Sequence, residues 1–189
     1  MSISHDGFVA GPNNENDWMF RHRDPAAHRW IEELLWQVGL HAMGSKSYFA
    51  MAGYWPTSTD ALAAPMNAIP KAVFTRQHAL DLQAGRAPAT DAASASWAEA
   101  EVIRGDLAAQ IARLKQQEGK DILAHGGAEF AQSLAAAGLI DEYRLVVHPV
   151  ALGQGKALFA QLAQPLNLEL RSTTLFRSGA SAQVYWPAT

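Results

Sequence analysis

The pattern of apolar and polar positions changes period along the chain, from short apolar runs that read as strands to longer stretches with helical spacing. The clearest order is in Asp121 to Leu134, DILAHGGAEFAQSL: a short buried strand at Ile122, Leu123 and Ala124, a Gly126-Gly127 pair, then a helix. A glycine turn between a strand and a helix N-terminus aims backbone N–H groups outward with the helix dipole behind them, and such a place suits an anion. Ahead of it, Ser2-Ile3-Ser4 reads as a strand, and Asp24-Pro25 opens a helix whose Trp30, Leu34, Leu35 and Val38 keep helical spacing to a stop at Gly39. Leu40 to Met43 reads as a strand that meets Gly44-Ser45-Lys46-Ser47 and a further helix. Asp60 to Ala68 predicts another helix, and Ala72-Val73-Phe74 a strand running into Thr75-Arg76.

Residues 79–96, rich in Ala with Pro88, read as a surface excursion, and Trp97 as the anchor of a return strand to Val102. Leu107, Ile111 and Leu114 form an apolar stripe on a helix ending near Gly119. Glu142 to Val147 predicts a buried strand, Gly153 and Gly155 a loop. Leu166 to Leu170 and Gln183 to Trp186 alternate like antiparallel strands. Strands that alternate with helices and then follow one another alone predict one α/β domain over residues 1–189, with a mostly parallel sheet and an antiparallel C-terminal edge.

Composition narrows the class. With 49% hydrophobic and 17% charged residues over 189 positions, the chain has enough apolar surface for a sizeable core. A net charge of −3 with scattered Lys and Arg argues against nucleic acid. No apolar run approaches the roughly 18 residues of a membrane span, and the start lacks a secretion signal, so a cytoplasmic protein is expected. The chain has no cysteine, which excludes disulfides and thiolate chemistry. The histidines lack metal-ligand spacing, so no metal is expected.

Gly44 to Ser47, Thr75-Arg76 and Gly126-Gly127 each read alone as a solvated loop or as a set of anion donors. Together, at the carboxyl ends of parallel strands, they fit a ligand with several phosphates such as a dinucleotide. The common nucleotide fingerprints are absent: Gly153-Gln154-Gly155 lacks its third glycine at Leu158, and Val150 stands where a phosphate loop ending at Gly155-Lys156 needs glycine. Asp6 closes the first strand and reads either as a turn residue or as a carboxylate facing the same edge. Trp18, Tyr54 and Trp55 read as core or as walls for a flat heterocycle. His125 reads as core or pocket wall, with ligand contact as the alternative, and His148 as structural.

These residues resemble a known family. Ser4-His5-Asp6-Gly7-Phe8-Val9-Ala10-Gly11 resembles the S-L-D-G-F-I-A-G opening of the RibD C-terminal, dihydrofolate-reductase-like proteins. Met43 to Tyr48 resembles their L-G-R-K-T-Y loop and Val73 to Arg76 their V-x-S-R. Asp121 to Ala128 and Asp141 to Gly153 resemble their strand–glycine–helix and D-E-L-x-L-x-x-x-P-V-x-L-G segments. The resemblance implies a three-layer α/β/α fold and an NADPH-dependent reductase of a small heterocyclic or carbonyl substrate, similar to the riboflavin-pathway reductases. It places cofactor binding on Gly44, Ser45, Lys46, Ser47, Thr75, Arg76, Gly126, Gly127, Ala128 and Glu129, with Asp6 catalytic; Trp18, Tyr54 and Trp55, read above as core or pocket walls, are the candidates for substrate binding. The glycine pair of this fold commonly carries a cis peptide bond. Ser45 and His5 depart from the family's arginine and leucine, and the first strand is shorter than in relatives. The alternative is a non-catalytic dinucleotide-binding module assembled as a homodimer.

Overall fold

The computed structural model describes residues 1–21, 24–82, 91–125 and 127–188. The strands, in chain order, are β1 (Ser2–Ser4), β2 (Phe8–Ala10), β3 (Val38–Gly44), β4 (Lys71–Phe74), β5 (Glu101–Ile103), β6 (Asp121–Ala124), β7 (Tyr143–His148), β8 (Lys156–Ala157), β9 (Leu168–Leu175) and β10 (Ser181–Pro187). The α-helices are α1 (Pro25–Gln37), α2 (Ser45–Tyr54), α3 (Ala63–Ala68), α4 (Ala92–Ala98), α5 (Leu107–Lys115) and α6 (Ala128–Ala136). Residues Ile31–Gly127 form a central unit; Met1–Trp30 with Ala128–Thr189 form a terminal unit.

The central unit is built on the sheet β5-β4-β3-β6, in which every pairing is parallel. Met43 and Val73 sit on one face with Leu35, Tyr48, Ala52, Met66 and Trp97. Ala72, Ile103 and Leu114 pack on the other with Leu40 and Ile122. Burial on both faces explains why β3 and β4 read as nearly continuous apolar runs. Carboxylates cap the starts of α5 and α4: Asp106 accepts from the Ala109 N–H at 2.8 Å and Asp91 from the Ser94 N–H at 2.7 Å.

In the terminal unit the sheet runs β1-β7-β10-β9, with β1 parallel to β7 and the other pairs antiparallel. Its core gathers Ile3, Val9, Ala131, Ala135, Tyr143, Leu145 and Leu158. A separate ribbon pairs β2 with β8. Gly155 is required beside it: φ is +147°, and a Cβ there would run into the Ala10 carbonyl oxygen. The parallel strands and the antiparallel C-terminal edge are those expected from the sequence.

Gly39 does not end α1. The helix closes at Gln37 and Gly39 lies inside β3, where the Lys120 Cβ would approach an added Cβ to 3.2 Å. A glycine can serve close packing in a strand as well as a helix stop. Trp97 belongs to α4 rather than to a return strand, because the Asp91 cap starts a helix that the alanine-rich composition then favours. The ribbon strands β2 and β8 are too short to carry a periodic signal. Residues 83–90 of the 79–96 excursion lie outside the described residues.

Lys71 is 2% exposed; its ammonium donates to the Asn67 carbonyl at 2.9 Å and to the Ser96 hydroxyl at 2.8 Å, and lies 4.7 Å from the Trp97 ring centre. These partners are neutral, and burial lowers its pKa from 10.5 to about 8. The unfolded chain then holds the proton more tightly than the folded one, so stability rises with pH between about 8 and 10.5. Urea denaturation across that window should show a gain of about 1 to 2 kcal/mol after allowance for solvent screening. Lys71→Met should flatten the gain; an equal slope in the variant would assign it to other groups.

Candidate functional site

The register of the central sheet decides what lies at its carboxyl edge. Gly44 of β3 pairs with Phe74 of β4, and Ala42 of β3 with Ala124 of β6. The loops after β4, β3 and β6 therefore leave adjacent strands, about 4.8 Å apart, in that order. They carry Thr75-Arg76, Gly44 to Ser47, and Gly127. Gly126, and with it the peptide bond joining it to Gly127, lies outside the described residues.

Gly44 caps α2 in an extended conformation and offers no side-chain acceptor to its first turn. The N–H groups of that turn are the donors a helix presents to an anion. Ser47 accepts the Gly127 N–H at 2.5 Å through its hydroxyl oxygen. An added Cβ on Gly127 would stand 3.0 Å from that oxygen, so the glycine permits the approach. Thr75 donates its N–H to the Ile103 carbonyl at 3.1 Å and accepts the Gln77 N–H at 3.1 Å, which turns the chain at the end of β4. Lys46, Arg76 and Gly127 are exposed, while Gly44, Ser45, Ser47 and Thr75 are half-buried.

Behind Gly127, His125 donates its backbone N–H to the Ala42 carbonyl at 2.9 Å. Its Nε2 lies 2.8 Å from Nδ1 of the fully buried His41, whose Nε2 lies 3.4 Å from the Pro65 carbonyl. Burial holds His41 down at about 4 and His125 well below 6.5, so both rings are neutral at physiological pH. Sequence reasoning passed over His41, although it is the polar side chain inside the apolar run from Leu40 to Met43.

In the terminal unit, Ala128 packs on the core and Glu129 is exposed, 3.9 Å from the Lys156 ammonium. Asp6 is exposed, and its carboxylate accepts from the Ser4 hydroxyl at 2.6 Å, the Leu152 N–H at 3.0 Å and the Gly153 N–H at 2.7 Å. The Ser4 and Gly153 bonds hold its pKa at about 2. Trp18 is 3% exposed; it meets the His148 ring edge-on with centres 5.4 Å apart. With Gly11, Glu15, Arg21 and Leu152 it lines a cavity of about 200 Å³. That is below the roughly 300 Å³ at which drug-sized pockets begin, and suits a small fragment. Tyr54 and Trp55 are in the central unit, ring centres 4.9 Å apart; Tyr54 is exposed, and Trp55 packs on the core. Among the described residues no three His, Asp or Glu are grouped to hold a metal ion, and no helix is long and apolar enough to cross a membrane.

Solved structures share this fold. RibD of Acinetobacter baumannii superposes with a TM-score of 0.69 over 100% of this chain and 57% of its own, at 20% identity. Dihydrofolate reductase of Enterococcus faecalis, solved with NADP(H) and RAB-propyl, does so with a TM-score of 0.61 over 100% of this chain and 94% of its own, at 12% identity. The fold is that of the dihydrofolate-reductase-like α/β proteins. The uncharacterized protein YyaP of Bacillus subtilis (strain 168) is 31% identical over 191 residues, covering 98% of this chain and 91% of its own. The family model for the RibD C-terminal domain matches residues 1–181, and the chain belongs to that family.

Asp6→Asn replaces a charged acceptor of the Leu152 and Gly153 N–H groups by a neutral one. Amide exchange at those two positions should quicken by about tenfold while β7 amides stay protected. In the parent, with the folded pKa depressed, the clamp is complete above pH 3.8 and is lost as pH falls toward 2. Unchanged exchange in the variant would mean that the charge does not hold the turn.

Proposed function

We propose that the chain is an NADPH-dependent oxidoreductase acting on a small heterocyclic or carbonyl substrate, related to the riboflavin-pathway reductases but with a substrate of its own. The observation that carries this proposal is the bond from the Gly127 N–H to the Ser47 hydroxyl. It ties Gly127, after β6, to the first turn of α2, so the two loops are held side by side before any ligand arrives. The donor set fits a dinucleotide: the first turn of α2, to which Gly44 gives no side-chain cap, for a pyrophosphate, the exposed Lys46 in that turn, and Arg76 with Thr75 for a 2′-phosphate. Gly126, Ala128 and Glu129 complete the assignment by family membership. When bound, NADPH supplies the hydride. The protein binds and orients it and shapes the field around it. Asp6 contributes a fixed negative charge, fully ionised at neutral pH because its pKa is held at about 2. Trp18, Tyr54 and Trp55 are proposed as apolar surface for a flat substrate. A homodimer in the cytoplasm is part of the same proposal.

One observation favours a second function. The Asp6 carboxylate already accepts from Ser4, Leu152 and Gly153, which leaves it less free for substrate and suits a non-catalytic dinucleotide-binding module. Quenching of tryptophan fluorescence by NADPH, followed by loss of absorbance at 340 nm with carbonyl and pterin substrates, separates the two. Binding without turnover across a broad panel favours the module, and absence of binding removes both.

Arg76→Ala should weaken NADPH by about tenfold or more and NADH by less than about threefold, because a charge-assisted contact to the 2′-phosphate is lost. Equal weakening of the two would remove the assigned role. Asp6→Asn should leave the NADPH dissociation constant within about twofold and lower turnover. Undiminished turnover would take Asp6 off the list of catalytic residues.

A further inference from the structure

The hydrogen bonds of His41 and His125 determine which nitrogens carry protons. A carbonyl oxygen only accepts, so His41 Nε2, facing the Pro65 carbonyl at 3.4 Å, is the protonated nitrogen. A neutral ring has one N–H, so His41 Nδ1 is a lone pair. It accepts from His125 Nε2 at 2.8 Å. The proton of His125 is thereby committed to Nε2, and its Nδ1 is an acceptor. Pro65 and His41 together orient a second ring and fix its tautomer, as an outer-shell partner does for a working histidine.

The ring so prepared is at the carboxyl edge of β6, two residues before Gly127 and half-buried. The strand order β4-β3-β6 grades the edge by charge. Arg76 leaves β4, Lys46 follows β3, and the β6 end offers a neutral imidazole. On the NADPH proposal above, the 2′-phosphate belongs with Arg76. The dinucleotide then runs across β3 toward β6, over two strand spacings of about 4.8 Å each. Its uncharged half comes last. A neutral lone pair in a desolvated setting disfavours phosphate and favours an N–H or O–H donor. We propose that Nδ1 of His125, positioned by His41, accepts a hydrogen bond from the nicotinamide riboside half of the bound dinucleotide. His125 is thus a specificity-determining residue and His41 a positioning residue.

Calorimetric titration with NADPH and with 2′,5′-ADP, which carries the adenosine half alone, tests the assignment. His125→Leu should weaken NADPH by about tenfold and leave 2′,5′-ADP within about twofold. His125→Asn, which keeps an acceptor oxygen near the Nδ1 position, should restore NADPH binding to within about threefold. An unaltered NADPH affinity in His125→Leu, or an equal loss for both ligands, overturns the inference while leaving the NADPH proposal standing. If the wild type binds neither ligand, the proposal fails and the inference falls with it. Imidazole ¹⁵N shifts of the wild type give a readout that does not depend on folding of a variant. His125 should be protonated at Nε2, and NADPH but not 2′,5′-ADP should move its Nδ1 resonance; a proton on Nδ1 overturns the assignment. His41→Leu should shift His125 toward the Nδ1–H form, and an unchanged tautomer would remove the role of His41.

Discussion

β3 is hydrogen-bonded on both sides by parallel strands, and this pairing positions the rest of the central unit. Its register with β4 and β6 brings Gly44, Thr75 and the turn at Gly127 to one edge. A slip of one residue would carry Met43 and His41 to the opposite face and bring Ala42 into the cluster around Tyr48 and Trp97. Both faces are covered, and the observed register sets Met43 against the larger cluster and Leu40 against the smaller one. The precision of the loops follows from core packing. Ser47 and Gly127, which follow different strands, lie within hydrogen-bond distance on this frame.

The central unit buries polar groups as well, and their partners are close. Tyr48 donates its hydroxyl to the Trp97 carbonyl at 2.6 Å, and the Trp97 indole donates to Asn67 at 2.7 Å. Lys71 and Ser96 converge on the Asn67 carbonyl. The network joins α2, α3, α4 and the start of β4. A buried ammonium with neutral partners costs more than an apolar side chain of the same size would. What the network adds is directionality: Asn67 has to meet Trp97, Ser96 and Lys71 together, which holds α3 and α4 in one arrangement over the sheet.

The sequence displayed the parts of this architecture that depend on periodicity. Leu107, Ile111 and Leu114 lie on α5 as their spacing required, with Ile111 and Leu114 buried. The strand–glycine–helix order at Asp121 to Leu134 was legible because glycine, dipole and apolar run coincide in it. Single contacts were not legible. Gly39 looked like a helix stop because only the fold brings Lys120 against it. Trp97 looked like a strand anchor because the Asp91 cap is a weak local signal. The His41–His125 pair joins residues 84 positions apart, so periodicity in either segment could not have paired them.

Asp6 illustrates how far a residue's type can stand from its chemistry. A carboxyl group that serves as a proton donor near neutrality sits among apolar neighbours, which disfavour its charge. Asp6 has the opposite surroundings: it is exposed, it accepts from a hydroxyl and two backbone N–H groups, and its pKa is about 2. At neutral pH it has no proton to give. The same three donors fix where its charge lies, since the oxygens cannot turn away without releasing the Leu152 and Gly153 N–H groups. A charge that is permanent and immobile acts through its field, favouring positive charge that develops nearby and opposing negative charge. Its contribution to a reduction would therefore be electrostatic and independent of pH above about 3, whereas a proton-donating carboxyl would impose a titration on the rate.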